Sequence, residues 1–223
     1  MKLSNETISV LKNFSGINQN LEFKKGTKIS TISTTKAVLA QAVVKDTFPE
    51  SFCVYDLNKF LASHSMFKDS AELTFDGVNS VVFNSGRKKL NYVTAARDAI
   101  LTPPEKDIKM DAVDCSFPMS SDDYTDIMKA VNVLGSPNIN VTSDGEKVYL
   151  VACNAKDEAQ DKMSIEVGDG NGREYTIVFK TENFKMLQGD YEVSISFKGF
   201  ANFKNTKDDI QYWVAFEATE STF

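Results

Sequence analysis

Much of what marks an enzyme or a membrane protein is missing from this chain of 223 residues. It has a single histidine, His64, so a Ser-His-Asp or Cys-His arrangement would have to use that residue. No apolar run approaches the roughly 18 residues that suggest a membrane span. Glu6 interrupts the spaced apolar residues at the N-terminus, which is unlike a signal peptide. The phosphate-binding motifs GxxxxGK[ST] and GxGxxG are also missing. We expect a cytoplasmic protein that is not an enzyme, has no cofactor and does not bind a membrane.

Paired cysteines are missing as well. Cys53, Cys115 and Cys153 are far apart and form no CxxC pair. Each lies in a segment that reads as a strand, so we interpret them as buried, reduced thiols. A metal site or a redox role is the alternative.

Two acidic segments have only part of a metal-binding pattern. The segment 169–172, Asp-Gly-Asn-Gly, lacks the remainder of a calcium loop, and a flexible glycine hairpin is the simpler interpretation. Asp122, Asp123 and Asp126 lie at the start of a predicted helix, where acidic side chains stabilise the positive end of the helix dipole. We predict no metal site.

The charges are unevenly distributed along the chain. Residues 1–101 contain 13 Lys+Arg and 9 Asp+Glu, a net charge of +4, whereas residues 102–223 contain 12 and 22, a net charge of −10. A total of −6 argues against a protein that binds nucleic acid with its whole surface. The two halves therefore differ sharply in the sign of their net charge.

The two halves share one pattern of elements. Residues 102–112 contain a Pro-Pro pair and several charges, which is typical of a connector between domains. We predict domains at 1–101 and 113–223. Each opens with a capped amphipathic helix, after Ser4 in the first half and after Ser120 with Asp123 in the second. Each helix is followed by short strands with glycine turns.

A second helix is predicted in each half, followed by further strands. Asp56 caps residues 57–64 and Thr181 caps residues 182–187. Strands joined by short turns form antiparallel sheets, with the helices packed on one face. The prediction is therefore an α+β fold, duplicated, with antiparallel sheets on the outside and four short helices on one face.

Each predicted helix carries a lysine on its polar side. A solvated helix face explains any one of them. Four related helices on one face of a continuous sheet would instead line one surface, which could contact phosphates without reading bases. The candidate DNA-binding residues, two of which flank the helices, are Lys2, Lys12, Lys59, Lys68, Lys129 and Lys185.

Several segments resemble the sliding clamps of T-even-type tailed bacteriophages, which are DNA polymerase processivity factors. The opening residues 1–4 and 11–14 resemble the start of those proteins. Residues 55–61 resemble their second helix, 184–191 their fourth helix and the following turn, and 214–218 their last strand. The resemblance extends over the whole chain. Its motifs are structural and not catalytic.

This resemblance implies a protein that holds the replicative DNA polymerase on duplex DNA without reading its sequence. Three subunits of two DNA-clamp domains would close head to tail, with helices lining the hole. A clamp loader ATPase would load the homotrimer in the cytoplasm of the infected bacterial host, and the ring would also assist late transcription. By the same analogy, the subunit edges are Lys88–Thr94 and Lys162–Val167. The third helix is more acidic than the family pattern, so we expect the first domain to contribute more to DNA binding.

The polymerase would bind through a short terminal peptide. A groove beside the connector could hold its apolar anchor. The candidate residues are Ile100, Leu101, Ile108 and Met110, and anchoring of the connector itself is the alternative. A structural or virion protein with a duplicated α+β fold is the alternative function, and a hydrolase that uses surface carboxylates is a third.

Overall fold

The computed structural model describes residues 1–67, 71–77, 79–106, 108–157 and 159–223. Its backbone contacts divide the chain into two units, Met1–Lys106 and Asp107–Phe223. This division falls inside the predicted connector, 102–112. The domain limits 1–101 and 113–223 stay a prediction.

The first unit contains two helices and two antiparallel sheets. One sheet has the strand order β4-β1-β2-β3 and carries α1, and the other has the order β5-β6-β7, with β7 contacting α2. The helices α1 and α2 also contact each other. The elements are α1 (Asn5–Ile17), β1 (Leu21–Phe23), β2 (Gly26–Ile32), β3 (Val38–Phe48), β4 (Phe52–Val54), α2 (Leu57–Ser65), β5 (Glu72–Gly77), β6 (Ser80–Ser85) and β7 (Lys88–Val93).

The second unit repeats this plan with one helix fewer. One sheet has the order β11-β10-β9-β12 and contacts α3, and the other strands are arranged β8-β13-β14-β15. The elements are β8 (Cys115–Met119), α3 (Ser121–Leu134), β9 (Asn138–Asp144), β10 (Lys147–Cys153), β11 (Met163–Asp169), β12 (Glu174–Lys180), β13 (Tyr191–Ser196), β14 (Phe200–Asn205) and β15 (Ile210–Ala215).

A serine caps the first helix of each unit, and a carboxylate accepts a hydrogen bond from the N–H of that serine. The carboxylate comes from a different place in the two units. In α3, Ser120 accepts from the Asp123 N–H, and the Asp123 carboxylate accepts from the Ser120 N–H in return. In α1, Ser4 caps Thr7, but the returning carboxylate is Asp46 on β3, whose Oδ2 lies 2.7 Å from the Ser4 nitrogen. The predicted caps Ser4 and Ser120 are confirmed, and in α1 a tertiary contact replaces the local capping box.

The predicted fourth helix, 182–187, was wrong. Only a 3-10 turn forms, at Thr181–Asn183, and residues 184–187 that follow it form no regular element, with Phe184 and Met186 both buried. The Tyr124 hydroxyl lies 3.0 Å from the Met186 carbonyl oxygen, and the Tyr212 hydroxyl accepts from the Leu187 N–H at 3.2 Å. These tyrosines supply backbone hydrogen bonds that a helix would have made itself.

The predicted glycine hairpin at 169–172 was also wrong. The strands before and after it, β11 and β12, lie at opposite edges of their sheet, so the segment is a crossover and not a hairpin. Gly170 passes so close to the β9–β10 turn that a Cβ there would lie 2.4 Å from the Gly145 carbonyl oxygen. The glycine is therefore required for close approach of two backbones.

Aromatic side chains fill the core of the first unit. Phe23 stacks on Phe52, with ring centroids 4.4 Å apart, and Phe60 of α2 packs edge-on against Tyr92 of β7. His64 is buried against Phe83, as expected for a packed histidine. The α+β fold with antiparallel sheets is confirmed, with three helices in the described residues instead of four.

Candidate nucleic-acid interface

The helices α1 and α3 present equivalent exposed stripes. In α1 the stripe consists of Asn5, Ser9, Lys12 and Gly16, which are spaced by four, three and four residues. In α3, residues 122, 126, 129 and 133 are exposed at the same spacing. This spacing follows one face of a helix. Lys12 and Lys129 therefore occupy the same place in the repeat.

The two stripes differ in charge. Lys12 is exposed and makes no ion pair within the described part of the chain. The α3 stripe contains Asp122 and Asp126 beside Lys129, and the Lys129 Nζ lies 3.0 Å from the Asp126 Oδ1. The α1 stripe therefore carries one positive charge and the α3 stripe carries one net negative charge.

The other predicted lysines lie in varied surroundings. Lys59 is exposed on α2, which contacts α1, and it has no ion pair among the described residues. Lys2 is exposed and lies 3.8 Å from Glu72. Lys185 is exposed in the irregular segment 184–187, where the fourth helix was predicted. Lys68 lies outside the described residues.

Each unit has a sheet edge next to a helix at which no further strand of the described residues is paired. Strand β7 is the last strand of β5-β6-β7 and contacts α2, and β11 is the last strand of β11-β10-β9-β12 and contacts α3. The predicted segments Lys88–Thr94 and Lys162–Val167 overlap these two strands, so their position at sheet edges is confirmed. An open edge leaves backbone N–H and C=O groups available for pairing with another strand.

Both edges carry exposed apolar side chains. Val93 at the end of β7 is 72% exposed, and Met66 after α2 is 64% exposed. Met163 at the start of β11 is 40% exposed, and Val133 near the end of α3 is 83% exposed. None of these four residues is predicted from the sequence, because an apolar residue in or beside a strand or helix is normally assigned to the core.

The edges also differ in charge. On β7, Lys88 and Lys89 are exposed without an ion pair in the described residues. On β11, Glu166 and Asp169 both contact the Lys147 Nζ at 2.9 Å. These hydrogen bonds, that to Asp169 foremost, raise the pKa of Lys147 above its usual range, and the Lys147 ammonium lowers the pKa of Asp169. The β11 carboxylates are therefore already partly neutralised.

The predicted partner-peptide residues divide between the units. Ile100 and Leu101 are half-buried in the first unit, where the Leu101 N–H donates to Asn20 Oδ1 at 3.4 Å. Ile108 and Met110 are half-buried in the second unit. Their half-buried side chains fit both a peptide groove and an anchored connector, so this site stays a prediction.

The described ranges contain no group of three or more His, Cys, Asp and Glu residues that could hold a metal ion. They also contain no helix long and apolar enough to cross a membrane. Cys53 and Cys115 are buried, Cys153 is half-buried, and all three are free thiols.

The comparisons with known proteins agree across the chain. A family model described as "DNA polymerase processivity factor" matches residues 3–101, and one described as "gp45 sliding clamp, C terminal" matches residues 116–218. The sliding clamp of Vibrio phage KVP40 is 32% identical over 223 residues, which cover 98% of this chain and 100% of that protein. The sliding clamp of Escherichia phage RB69 is 26% identical over 225 residues, covering 98% and 97%.

Among solved structures, a PCNA from A. fulgidus bound to the C-terminal region of FEN-1 is similar in fold. Its TM-score is 0.70 at 12% identity, over 94% of each chain. The family matches decide against a virion protein without a DNA role, because the matched family consists of processivity factors of DNA polymerase, and against a hydrolase, because that family is a non-catalytic scaffold. The chain belongs to the sliding clamps of T-even-type tailed bacteriophages, the processivity factors of DNA polymerase.

Proposed function

We propose that three copies of this chain close head to tail into a ring around duplex DNA and tether the replicative DNA polymerase. The observation that carries this proposal is the pair of open edges, one in each unit. Each edge strand contacts a helix and carries one exposed apolar side chain, and a second exposed apolar residue lies directly after α2 in the first unit and in α3 in the second. A head-to-tail ring needs two such different surfaces on every subunit.

In this assembly β7 of one copy pairs with β11 of the next, along the part of β11 that does not lie against β8. Backbone hydrogen bonds continue the sheet across the interface, as in other edge-to-edge associations. Val93 and Met163 are then covered beside the joined strands, while Met66 and Val133 are covered where the neighbouring helices meet. Burial of exposed apolar surface stabilises the contact by about 25 cal/mol for each Å² removed from water. The basic β7 edge also attracts the more acidic second half of the neighbouring copy.

The exposed lysines provide the contact with DNA. Lys12 and Lys59 come first, because they lie on contacting helices and are not neutralised by a described neighbour. Lys2, Lys68, Lys129 and Lys185 complete the proposed set, and Lys129 is weakened by Asp126. Few phosphate contacts give weak, salt-dependent attraction without base recognition, which permits sliding.

The polymerase would be tethered through a short peptide near the connector. The A. fulgidus PCNA structure, which holds a C-terminal region of FEN-1, supports a terminal peptide as the form of such a partner. The proposed contacts are Ile100, Leu101, Ile108 and Met110. Loading by a clamp loader ATPase, action in the cytoplasm of an infected bacterium and assistance to late transcription are part of this proposal, and the family resemblance supports them.

The ring is tested by measuring the mass in solution. Sedimentation should give a trimer of three 24.8 kDa chains. Val93→Glu should shift the protein toward monomers, because it removes an apolar side chain from the joined edge and would bury a carboxylate in its place. Val43→Glu is the matched control, since Val43 is also an exposed valine on a strand of the first unit but lies on β3.

Retention on DNA tests encirclement separately. The loaded wild-type protein should stay on closed circular DNA and leave when the circle is cut. Equal retention on circular and linear DNA would contradict a ring, as would a protein that remains monomeric at every concentration.

A further inference from the structure

The chain that leads from β7 into the connector lies against the first sheet of its unit. Strand β4 is the edge strand of the sheet β4-β1-β2-β3, and Ala95 forms an antiparallel bridge to Cys53 on this strand. The Ala95 N–H donates to the Cys53 carbonyl oxygen at 2.8 Å. A 3-10 turn follows at Arg97–Ala99, shortly before the connector begins. Backbone pairing therefore fixes the point from which the connector starts.

Arg97 binds two carboxylates from different parts of the unit. Its Nε lies 2.8 Å from the Glu22 Oε1 on β1, and its Nη2 lies 3.5 Å from the Glu105 Oε1 in the connector. The Glu22 side chain is 11% exposed, whereas the Glu105 side chain is 78% exposed. A guanidinium has several N–H donors in a fixed plane, so one group can hold both carboxylates. Glu22 thus fixes the guanidinium in place, and Arg97 in turn holds the connector through Glu105.

Asn20 holds the same part of the chain at a second point. The Leu101 N–H donates to the Asn20 Oδ1 at 3.4 Å, and the Asn20 Nδ2 donates to the Tyr55 carbonyl oxygen at 2.7 Å. The Asn20 N–H also donates to the Oδ1 of Asn18, which is buried. Both ends of the Asn20 side-chain amide are therefore engaged, so its oxygen keeps one orientation toward Leu101.

These two contacts enclose the half-buried residues Ile100 and Leu101. The ion pair of Arg97 with Glu105 brings the ends of the segment 97–105 together, and Asn20 fixes a residue inside it. A segment that is closed in this way has fewer conformations than a free chain. Its apolar side chains are therefore kept in one place on the first unit.

We propose that Arg97 and Asn20 are positioning residues for the partner-peptide site, which hold the segment 97–105 so that Ile100 and Leu101 face the partner in a fixed arrangement. This inference rests on the proposed function, in which Ile100 and Leu101 contact the terminal peptide of the polymerase. A partner binds only the fraction of molecules whose site is formed, so its apparent affinity falls when the segment is released. Because an exposed ion pair contributes little to folding stability, release of Glu105 changes the connector and not the stability of the unit.

The test measures peptide affinity and hydrogen exchange in the full-length protein. The probe is a fluorescein-labelled peptide with the C-terminal segment of the replicative polymerase that the clamp stimulates, and fluorescence anisotropy gives its Kd. Asn20→Ala should speed exchange of the Leu101 amide and raise the Kd, each about fivefold, and Glu105→Gln should raise the Kd about twofold. The thermal unfolding midpoint of Glu105→Gln and the sedimentation of both variants should stay unchanged.

Each variant has a matched control. Gln19→Ala changes an exposed amide next to Asn20 whose side chain makes no hydrogen bond among the described residues. Asp98→Asn removes an exposed acid of the 3-10 turn that makes no ion pair in the described part of the chain. Neither control should change the Kd. Asn20→Asp keeps the oxygen that accepts from Leu101 and should restore the affinity that Asn20→Ala loses.

A wild-type protein that does not bind the peptide would contradict the proposed tether, and this inference with it. Wild-type binding that is unchanged in Asn20→Ala and Glu105→Gln would overturn the positioning role alone. Faster exchange with an unchanged Kd would do the same, because the held segment would not matter to the partner. A loss in Asn20→Ala that Asn20→Asp does not restore would also overturn it, since the bond to Tyr55 would then be the one that matters.

Discussion

At the scale of single residues, variants of Lys12 and Lys59 test whether these helices face DNA or are ordinary solvated helix faces. Changing both to Ala should lower clamp-dependent DNA synthesis while the sedimentation of the protein stays unchanged. Each phosphate contact that is lost should reduce the slope of log affinity against log salt by about 0.9. Filter binding or fluorescence anisotropy across a salt series measures this slope.

Lys204→Ala provides the control for the lysine variants. Lys204 is exposed on β14 and makes no ion pair among the described residues, but it lies on a sheet and not on a helix stripe. Equal losses of synthesis in all three positions would point to a general charge effect. Unchanged synthesis after the Lys12 and Lys59 changes would remove both from the proposed DNA-facing set.

Asp46 gives a prediction about stability and pH. Burial raises the pKa of its carboxyl, but hydrogen bonds from Thr7 and Ser4 outweigh burial, so the pKa is lowered. Asp46→Asn should destabilise the protein by about 1 kcal/mol, because α1 loses the carboxylate of its cap. The stabilisation is present above the unfolded pKa of about 3.9 and disappears as the pH falls through the lower folded value.

Denaturant unfolding at neutral pH and at about pH 3 measures this effect. The difference between wild type and Asp46→Asn should shrink at the lower pH. Glu50→Gln, an exposed acid between β3 and β4, should change little at either pH. A difference that does not depend on pH would mean that the carboxylate charge has no part in the cap.

At the scale of elements, the helices that were predicted correctly have local signals. Ser4, Asp56 and Ser120 all cap helices, because a cap depends on residues only three positions away. The proposed DNA-facing lysines at 12, 59 and 129 could be chosen from helical spacing for the same reason. The predicted helix at 182–187 failed because the hydroxyls that hold its backbone come from distant tyrosines at 124 and 212.

Tyr124 is therefore expected to contribute to the stability of the fold through its hydrogen bonds to residues 184 and 186. Tyr124→Phe should destabilise the protein by about 1–2 kcal/mol, because the Phe184 and Met186 carbonyls would be buried without a donor. Burial raises the pKa of Tyr124 to about 12, so the hydroxyl keeps its proton at neutral pH. Chemical denaturation measures the loss. Tyr149→Phe is the control, and an equal loss there would contradict the assigned role.

Edge residues and the contacts of Arg97 could not be identified from the sequence for a related reason. The pattern of β7 predicts a strand, but whether a strand is central or at an edge depends on which strands pair with it. Arg97 similarly reads as one basic residue before the connector. Its two carboxylate partners come from β1 and from the connector, and only the fold brings them together.

Removing the acidic side chains of the α3 stripe should strengthen DNA binding, whereas removing Lys12 should weaken it. If α3 faces DNA, Asp122→Asn with Asp126→Asn should tighten binding and steepen its salt dependence by about 0.9 for each lysine released. The Lys129 ammonium is the group that Asp126 now neutralises. Anisotropy with duplex DNA measures the change. Asp208→Asn, an exposed acid outside the stripe, should change affinity less.

At the scale of the whole molecule, the unequal charge of the two halves bears on assembly. The first 101 residues carry a net charge of +4 and the remaining residues −10. Head-to-tail association brings unlike halves together, whereas association of like halves brings equal charges together and is disfavoured. In the proposed ring, charge would favour the head-to-tail arrangement, and the apolar edge residues would supply affinity that salt does not screen.

These two contributions can be separated by salt. Raising the salt from about 50 mM to about 500 mM shortens the Debye length from roughly 14 Å to about 4 Å and should shift the wild-type protein toward smaller species. Lys88→Glu with Lys89→Glu should weaken association at low salt but have a smaller effect at high salt. Val93→Glu should remain defective at high salt, because the apolar contact itself is lost.

Sedimentation equilibrium at both salt concentrations measures the association constants of the three proteins. A wild-type assembly that is indifferent to salt would contradict charge steering, while leaving the apolar edges as the source of affinity. Recovery of Val93→Glu at high salt would instead mean that its defect is electrostatic, so the apolar burial proposed for the β7 edge would be wrong. The lysine variants thus measure the salt-dependent contribution to the association free energy, and the valine variant measures the salt-independent contribution at the same interface.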